Sequence, residues 1–198
     1  MENGIKPLIT VIVPVYNGEQ FIRRCLNSLV FQTLENIEII AVSNGSTDAT
    51  YEILQQYQQN YPSKVIVRQI EHTNGPGSGR NVGLSLARAD YITFADADDY
   101  FEYDAMEQFY NKVCEGDYDI VYCANYDVRN GVMKKARTLP TTDKKYVEQH
   151  GSMVYWNKLF KKRLFEIAGK IPEDIVFEDI AYVSTLISIS NKIGYIDK

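Results

Sequence analysis

Three carboxylates fall within four residues at Asp96-Ala97-Asp98-Asp99, directly after the apolar, aromatic-rich run Tyr91-Ile92-Thr93-Phe94-Ala95. That run reads as a buried strand. Like charges packed at a strand end destabilise a fold unless something positive sits among them. A hard divalent cation, Mg²⁺ or Mn²⁺, is the natural occupant, because it takes one or two protein carboxylates and completes its shell with phosphate oxygens and water. In an extended segment Asp96 and Asp98 project to one side and Asp99 to the other, so the first two are the expected clamp. A solvated acidic turn capping the next helix also accounts for an isolated run of this kind. The surroundings decide between the two.

The elements that must position these acids alternate regularly. Leu8-Ile9-Thr10-Val11-Ile12-Val13-Pro14 has the β-branched profile of a central parallel strand. From Glu19, the apolar residues Phe21, Ile22, Cys25, Leu26, Leu29 and Val30 recur on one helical face. A second strand is expected over residues 37–42, then a loop over 43–48 with Thr47 or Asp48 free to cap a helix that carries Tyr51, Leu54, Tyr57 and Tyr61 and stops at Pro62. Residues 65–70 make a third strand, and Gly75-Pro76-Gly77-Ser78-Gly79 leads into a helix beginning near Arg80. This alternation predicts a doubly wound parallel sheet, in which ligands bind beyond the carboxyl ends of the strands. The segments 14–18, 43–48, 75–80 and 96–99 all follow strands on that edge, so four loops converge on one crevice.

Beyond Asp99 the pattern changes. A helix with Met106, Phe109 and Val113 precedes a strand-like run over 118–124, and Asn130-Gly131 is a strong hairpin signal. Residues 134–150 read as a polar excursion. Met153 to Phe160 includes the single tryptophan, Trp156, expected as core or wall more often than as a sugar platform. A last helix follows Glu178-Asp179, with Ile180, Val183, Leu186 and Ile187 inward. The end at Lys198, just after a short apolar run, fits either a compact form or a chain that continues.

The length of 198 residues suits one domain, and the net charge of −5 with no basic cluster argues against a nucleic-acid partner. Three widely spaced cysteines fit neither a disulfide framework nor a zinc site. There is no run of eighteen apolar residues and no secretory signal pattern. His72 and His150 read as solvated. The glycine run at 75–79 is not G-x-G-x-x-G and does not follow the first strand, which excludes a dinucleotide-binding oxidoreductase loop.

Together, Val11-Ile12-Val13-Pro14-Val15-Tyr16-Asn17, Gly45-Ser46-Thr47-Asp48, Gly79-Arg80-Asn81-Val82-Gly83, the acidic strand end and Phe177-Glu178-Asp179 resemble the inverting family 2 glycosyltransferases of the GT-A fold. Asn157-Lys158-Leu159-Phe160-Lys161 is similar to a segment of members that build bacterial cell-surface polysaccharides; no role for Lys158 follows from it. The resemblance implies a mostly parallel α/β sheet with a smaller acceptor-side hairpin and helical part, residues 1–100 binding the nucleotide sugar and 101–198 the acceptor. It implies donor contacts from Pro14, Tyr16, Asn17, Asn44, Arg80, Asp96 and Ala97, a Mg²⁺ or Mn²⁺ on Asp98 with Asp96, and Asp179 as general base. The donor would be a nucleotide diphosphate sugar and the acceptor a glycan or lipid-linked hydroxyl, used in the cytoplasm or peripherally at the inner face of the membrane. One position departs from the pattern, because Ser43-Asn44 stands where the family usually has an aspartate before the glycine. An Asn amide both accepts and donates, so Asn44 is expected to read a uracil edge while donating to a neighbouring carbonyl. A non-catalytic nucleotide-sugar-binding or partner subunit is the alternative that this departure supports.

Overall fold

The computed structural model describes residues 5–71, 75–129, 131–136, 140–175 and 177–197. Its first half runs β1 (Ile9–Val15), α1 (Ile22–Val30), β2 (Ile37–Asn44), α2 (Thr50–Asn60), β3 (Val65–Ile70), α3 (Pro76–Leu86) and β4 (Tyr91–Phe94). Next come α4 (Ala105–Gly116), β5 (Ile120–Cys123), and the paired β6 (Tyr126–Arg129) and β7 (Val132–Lys135). The chain then forms α5 (Lys144–His150), β8 (Lys158–Lys161), α6 (Arg163–Ala168), α7 (Glu178–Ile189) and β9 (Ile193–Ile196). Seven strands make one sheet in the order β3-β2-β1-β4-β8-β5-β9, and β6-β7 form a separate antiparallel hairpin. Only β8 runs against its neighbours, pairing antiparallel with β4 and with β5. This is the GT-A arrangement of a mostly parallel sheet between helical layers.

Alternation along β1 builds both layers. Ile9, Val11, Val13 and Val15 face a core with Cys25, Leu26 and Leu29 of α1, Leu54 of α2, and Met106 and Phe109 of α4. Ile12 points to the other face, where Phe94, Phe160, Phe165, Val183 and Leu186 meet. β1 and β2 are buried on both faces, which explains why β-branched residues dominate them.

Several boundaries differ from the sequence reading. β2 continues through Ser43 and Asn44, which pair with Gln69 and Ile70 of β3, so Asn44 ends a strand rather than opening a loop. α3 starts at Pro76, because proline suits the first helical turn and Gly75 at φ 95 supplies the entry bend. The glycine run is therefore the helix's first turn. α1 begins at Ile22, leaving Phe21 outside it and 47% exposed. The polar stretch after residue 134 contains α5, docked through buried Val147. On α7, Tyr182 turns inward and Ile180 faces out. The hairpin expected from Asn-Gly is present, with Gly131 at φ 77; Asn130 itself, His72 and residues 137–139 lie outside the described residues.

α3 packs closely on β1 because Gly83 has no side chain: a methyl there would overlap Ile12 Cγ2. Alanine is the better helix former by about 1 kcal/mol, but overpacking a closed core costs about 1–3 kcal/mol. Gly83→Ala is expected to lower stability by up to about 2 kcal/mol net, measured by urea unfolding.

Candidate active site

The acidic segment is a turn. β4 ends at Phe94, and Asp99 N donates to Asp96 O at 3.0 Å. The alternation expected of an extended chain therefore does not apply past Ala95. α1 holds this turn from beneath: Arg24 Nη2 donates to Asp98 O at 2.6 Å, the Cys25 thiol to Asp96 O at 3.6 Å, and Ser28 Oγ accepts from Phe101 N at 3.1 Å. These backbone contacts present Asp96 and Ala97 to one side and Asp98 and Asp99 to another, where each pair lines a different cavity.

The cavity on the Asp96 side is about 400 Å³ and is lined by Pro14, Val15, Tyr16, Asn44, Gly75, Pro76, Arg80, Asp96 and Ala97. The ends of β1, β2 and β4 and the start of α3 thus converge, as the sheet topology dictates. Tyr16 stands 61% exposed at its mouth. Asn44 is buried; its Nδ2 donates to Gly75 O at 3.0 Å, and its Oδ1 has no partner among the described residues. That carbonyl contact orients the amide, since the reversed assignment would set oxygen against oxygen. Asn17 is not in the lining. At φ 46 it laces the β1 loop to the β2 loop, its Oδ1 accepting from Thr47 N at 2.8 Å and its N donating to Ser46 Oγ at 3.1 Å. Asp48 Oδ1 accepts from Thr50 N at 3.0 Å and so caps α2 from two residues upstream.

Arg80 is the fifth residue of α3, and it is buried. Its Nη2 donates to Asp96 Oδ1 at 3.2 Å, its Nη1 to Glu178 Oε1, and its Cζ lies 4.8 Å from the ring centre of buried Tyr155. Both terminal nitrogens are thus already engaged by carboxylates. Glu178 begins α7, after Phe177 turns the chain at φ 62, and Asp179 follows it. Asp179 is close enough to raise the Asp96 carboxyl. Loss of hydration pushes that carboxyl up most, the charges of Asp98 and Asp179 add to it, and Arg80 opposes them. One crevice edge therefore gathers Asn44, Arg80 and Asp96, with Asp179 outside its lining but near enough to act on Asp96, while Asp98 lies across the turn.

Glu178 and Tyr155 had no assigned role in the sequence reading, and Lys158 had none either. Nothing in the spacing showed that residues 80, 96, 155 and 178 meet. Lys158 is fully buried, and its Nζ donates to Ser152 O at 2.7 Å, Val154 O at 2.8 Å and Asn157 Oδ1 at 2.7 Å. It closes the loop that carries Tyr155 and Trp156. Burial pulls its pKa down to about 7, against the charges of Cys123 and Asp179.

The acidic turn suits a hard cation. Partial desolvation most of all, and then the charges of Asp96 and Asp98, push the Asp99 carboxyl up to about 6, with Arg24 opposing them. Among the described residues no group of three or more His, Cys, Asp and Glu side chains is arranged to hold a metal alone. A site that shares its ion with phosphate oxygens needs no such group.

The fold is of GT-A glycosyltransferase type, and comparison with known proteins agrees. The signature of Glycosyl transferase family 2 matches residues 10–177, and the chain belongs to that family. It is 33% identical over 211 residues to the glycosyltransferase GlyA of Streptococcus pneumoniae serotype 4, covering 96% of this chain and 29% of that protein. It is 34% identical over 203 residues to the poly(ribitol-phosphate) beta-glucosyltransferase of Bacillus spizizenii, covering 94% of this chain and 31% of that protein. The chain thus spans about three-tenths of the length of these two relatives. The crystal structure of S. aureus TarS residues 1–349 with UDP superposes with a TM-score of 0.83 at 25% identity, over 96% of this chain and 57% of that one. Among the described residues no helix is long and apolar enough to cross a membrane.

The Lys158 pKa sets a pH dependence. Its folded value lies below its unfolded one, so between about pH 7 and pH 10 the unfolded chain holds a proton that the folded chain has released. Stability from this group therefore rises with pH across that window and is lost as pH falls toward 7. Urea unfolding of the wild type should show a slope up to ~1.4 kcal/mol per pH unit steeper than that of Lys158→Met. Equal slopes would place the Lys158 pKa near its ordinary value.

Proposed function

We propose that this chain carries out metal-dependent, inverting transfer of a hexosyl group from a UDP-sugar to a hydroxyl of a cell-surface glycan precursor. The observation that carries the reading is Asn44, a buried amide whose oxygen has no partner among the described residues and which lines a cavity beside Asp96. Pro14 and Tyr16 would wall the base, and Asn44 Oδ1 would accept the uracil imide N–H while Nδ2 keeps its bond to Gly75 O. The UDP complex of TarS supports the donor class, and the name of the Bacillus spizizenii relative supports a cell-surface polymer as the setting. The donor preference is testable by calorimetry with UDP, GDP and deoxythymidine diphosphate in Mn²⁺. UDP should bind at least tenfold more tightly than GDP, and equal affinities would remove Asn44 as the base reader.

Asp96 and Asp98 would hold Mg²⁺ or Mn²⁺ against the diphosphate, where the cation supplies charge neutralisation of the leaving group. Asp179 takes the acceptor proton as the acceptor oxygen attacks the anomeric carbon from the face opposite the diphosphate. The new C–O bond forms as the glycosyl–phosphate bond breaks, and the nucleoside diphosphate departs with the electron pair. Arg80 does its work indirectly, fixing Asp96 and, through Glu178, the start of α7 beside it.

Asp179→Asn should leave UDP binding within about twofold and reduce kcat by about 10²–10⁴, the range for loss of a general base. Asp98→Ala should remove the Mn²⁺ dependence of UDP binding in the same calorimeter. Turnover by Asp179→Asn at the wild-type rate, with a verified acceptor, would reject Asp179 as the base.

A further inference from the structure

A second cavity, about 590 Å³, opens on the opposite side of the acidic turn and runs beneath the β6–β7 hairpin. From the geometry we infer that it holds the acceptor, and that this acceptor is an uncharged sugar chain rather than a phosphate-linked polyol. The inference rests on the transferase reading above and adds the acceptor class to it.

The cavity shares the Asp96–Asp99 turn with the donor cavity as a common wall, so its occupant lies next to the bound donor. Its size falls in the usual range for small-molecule sites. Tyr100, Tyr126 and Trp156 give it aromatic surface, with Met133 from the hairpin. A pyranose ring presents an apolar C–H face and a rim of hydroxyls. Aromatic surface matches the first, and the side chains of Asn125, Asn157 and Asp127 match the second.

Charge selects among glycans. Asp98, Asp99, Glu102, Asp104 and Asp127 line the cavity, and Arg24 is the one cationic side chain among the described lining residues. Arg24 is already committed, bonded to Asp98 O at 2.6 Å with its guanidinium 4.8 Å from the Tyr100 ring centre. Lys135 of the hairpin is paired with Asp197 at 2.7 Å. Even with Asp98 given to a cation, a phosphodiester entering here meets the carboxylates of Asp99, Glu102, Asp104 and Asp127 and no free cation among the described lining residues. Like charge at close range disfavours it. Hydroxyl groups meet acceptors they can donate to.

Trp156 is the only tryptophan in the chain, so its fluorescence reports occupancy without turnover. With UDP and Mn²⁺ present, neutral disaccharides of glucose, galactose and N-acetylhexosamines should be titrated beside oligo(ribitol phosphate), in the wild type and in Tyr126→Ala and Asp127→Lys. The expected result is saturable quenching by at least one neutral disaccharide at an affinity tenfold or more above that of the phosphate oligomer. Tyr126→Ala should weaken it at least tenfold with UDP affinity within twofold, and Asp127→Lys should narrow the gap in favour of the phosphate oligomer. Equal or tighter binding of oligo(ribitol phosphate), no response to any neutral sugar, or neutral-sugar binding untouched by Tyr126→Ala would each overturn the proposal. UDP affinity, measured separately, fails only if the donor reading itself is wrong.

Discussion

One buried guanidinium holds the crevice together. Arg80 reaches from α3 to Asp96 after β4 and to Glu178 at the head of α7, with the Tyr155 ring against its face. Removing an arginine from water is costly unless its charge and its donors are both answered. Here two carboxylates from segments far apart in the chain answer the charge and the two terminal nitrogens, while Nε has no partner among the described residues, and four separate stretches have a common reference point. The hold is reinforced alongside. Asn81 exchanges hydrogen bonds with Ile171, donating to its carbonyl at 2.9 Å and accepting from its N–H at 3.0 Å, and also donates to Glu173 Oε1 at 2.8 Å. A side chain on Gly77 would collide with Pro172 O. α3 thus fastens the first half of the sheet to the segment that leads into α7.

The acidic turn works from both sides. Its backbone is pinned by α1, a helix on the far layer of the sheet, through Arg24, Cys25 and Ser28. Its carboxylates then diverge because a turn rotates successive side chains, where a strand would only have alternated them. That rotation lets one short segment serve two cavities. The arrangement concentrates negative charge in a place partly removed from water, which is unfavourable for the empty fold and favourable for a cation bound together with a diphosphate.

Much of the architecture was legible in the sequence because the buried strands leave little choice of composition. β1, β2 and β3 announce themselves by β-branched runs, and their alternation with helical patterns gives the parallel sheet and its ligand-bearing edge. Asn44, Asp96 and the Asn-Gly hairpin signal could be singled out by residue type. The distant pairings were not legible. Arg80 reads as a surface charge or a phosphate ligand until Glu178 and Tyr155 are brought to it, and that depends on how residues 171–178 cross α3. Lys158 was equally opaque, since a lysine inside a core makes sense only when three oxygens are seen around it. The start of α3 was misplaced for a local reason: glycine composition suggested a loop, and the proline at its first position was the better indicator.

β8 is the lone strand that runs backwards, and its direction has a bearing on natural variation. In its parallel neighbours the chain reaches the ligand edge on leaving the strand, so residues downstream of each strand face the crevice. β8 arrives from that edge, which puts Trp156 and Asn157, just upstream of it, in the lining of the larger cavity. Comparing homologues by the habit of looking after each strand would overlook this stretch. Variation in the lining of that cavity should be sought there and in the hairpin, whereas the downstream end of β8 is bound into the scaffold, Lys161 by Asp117 and Asp119 and Lys162 by the carbonyl of Ala87.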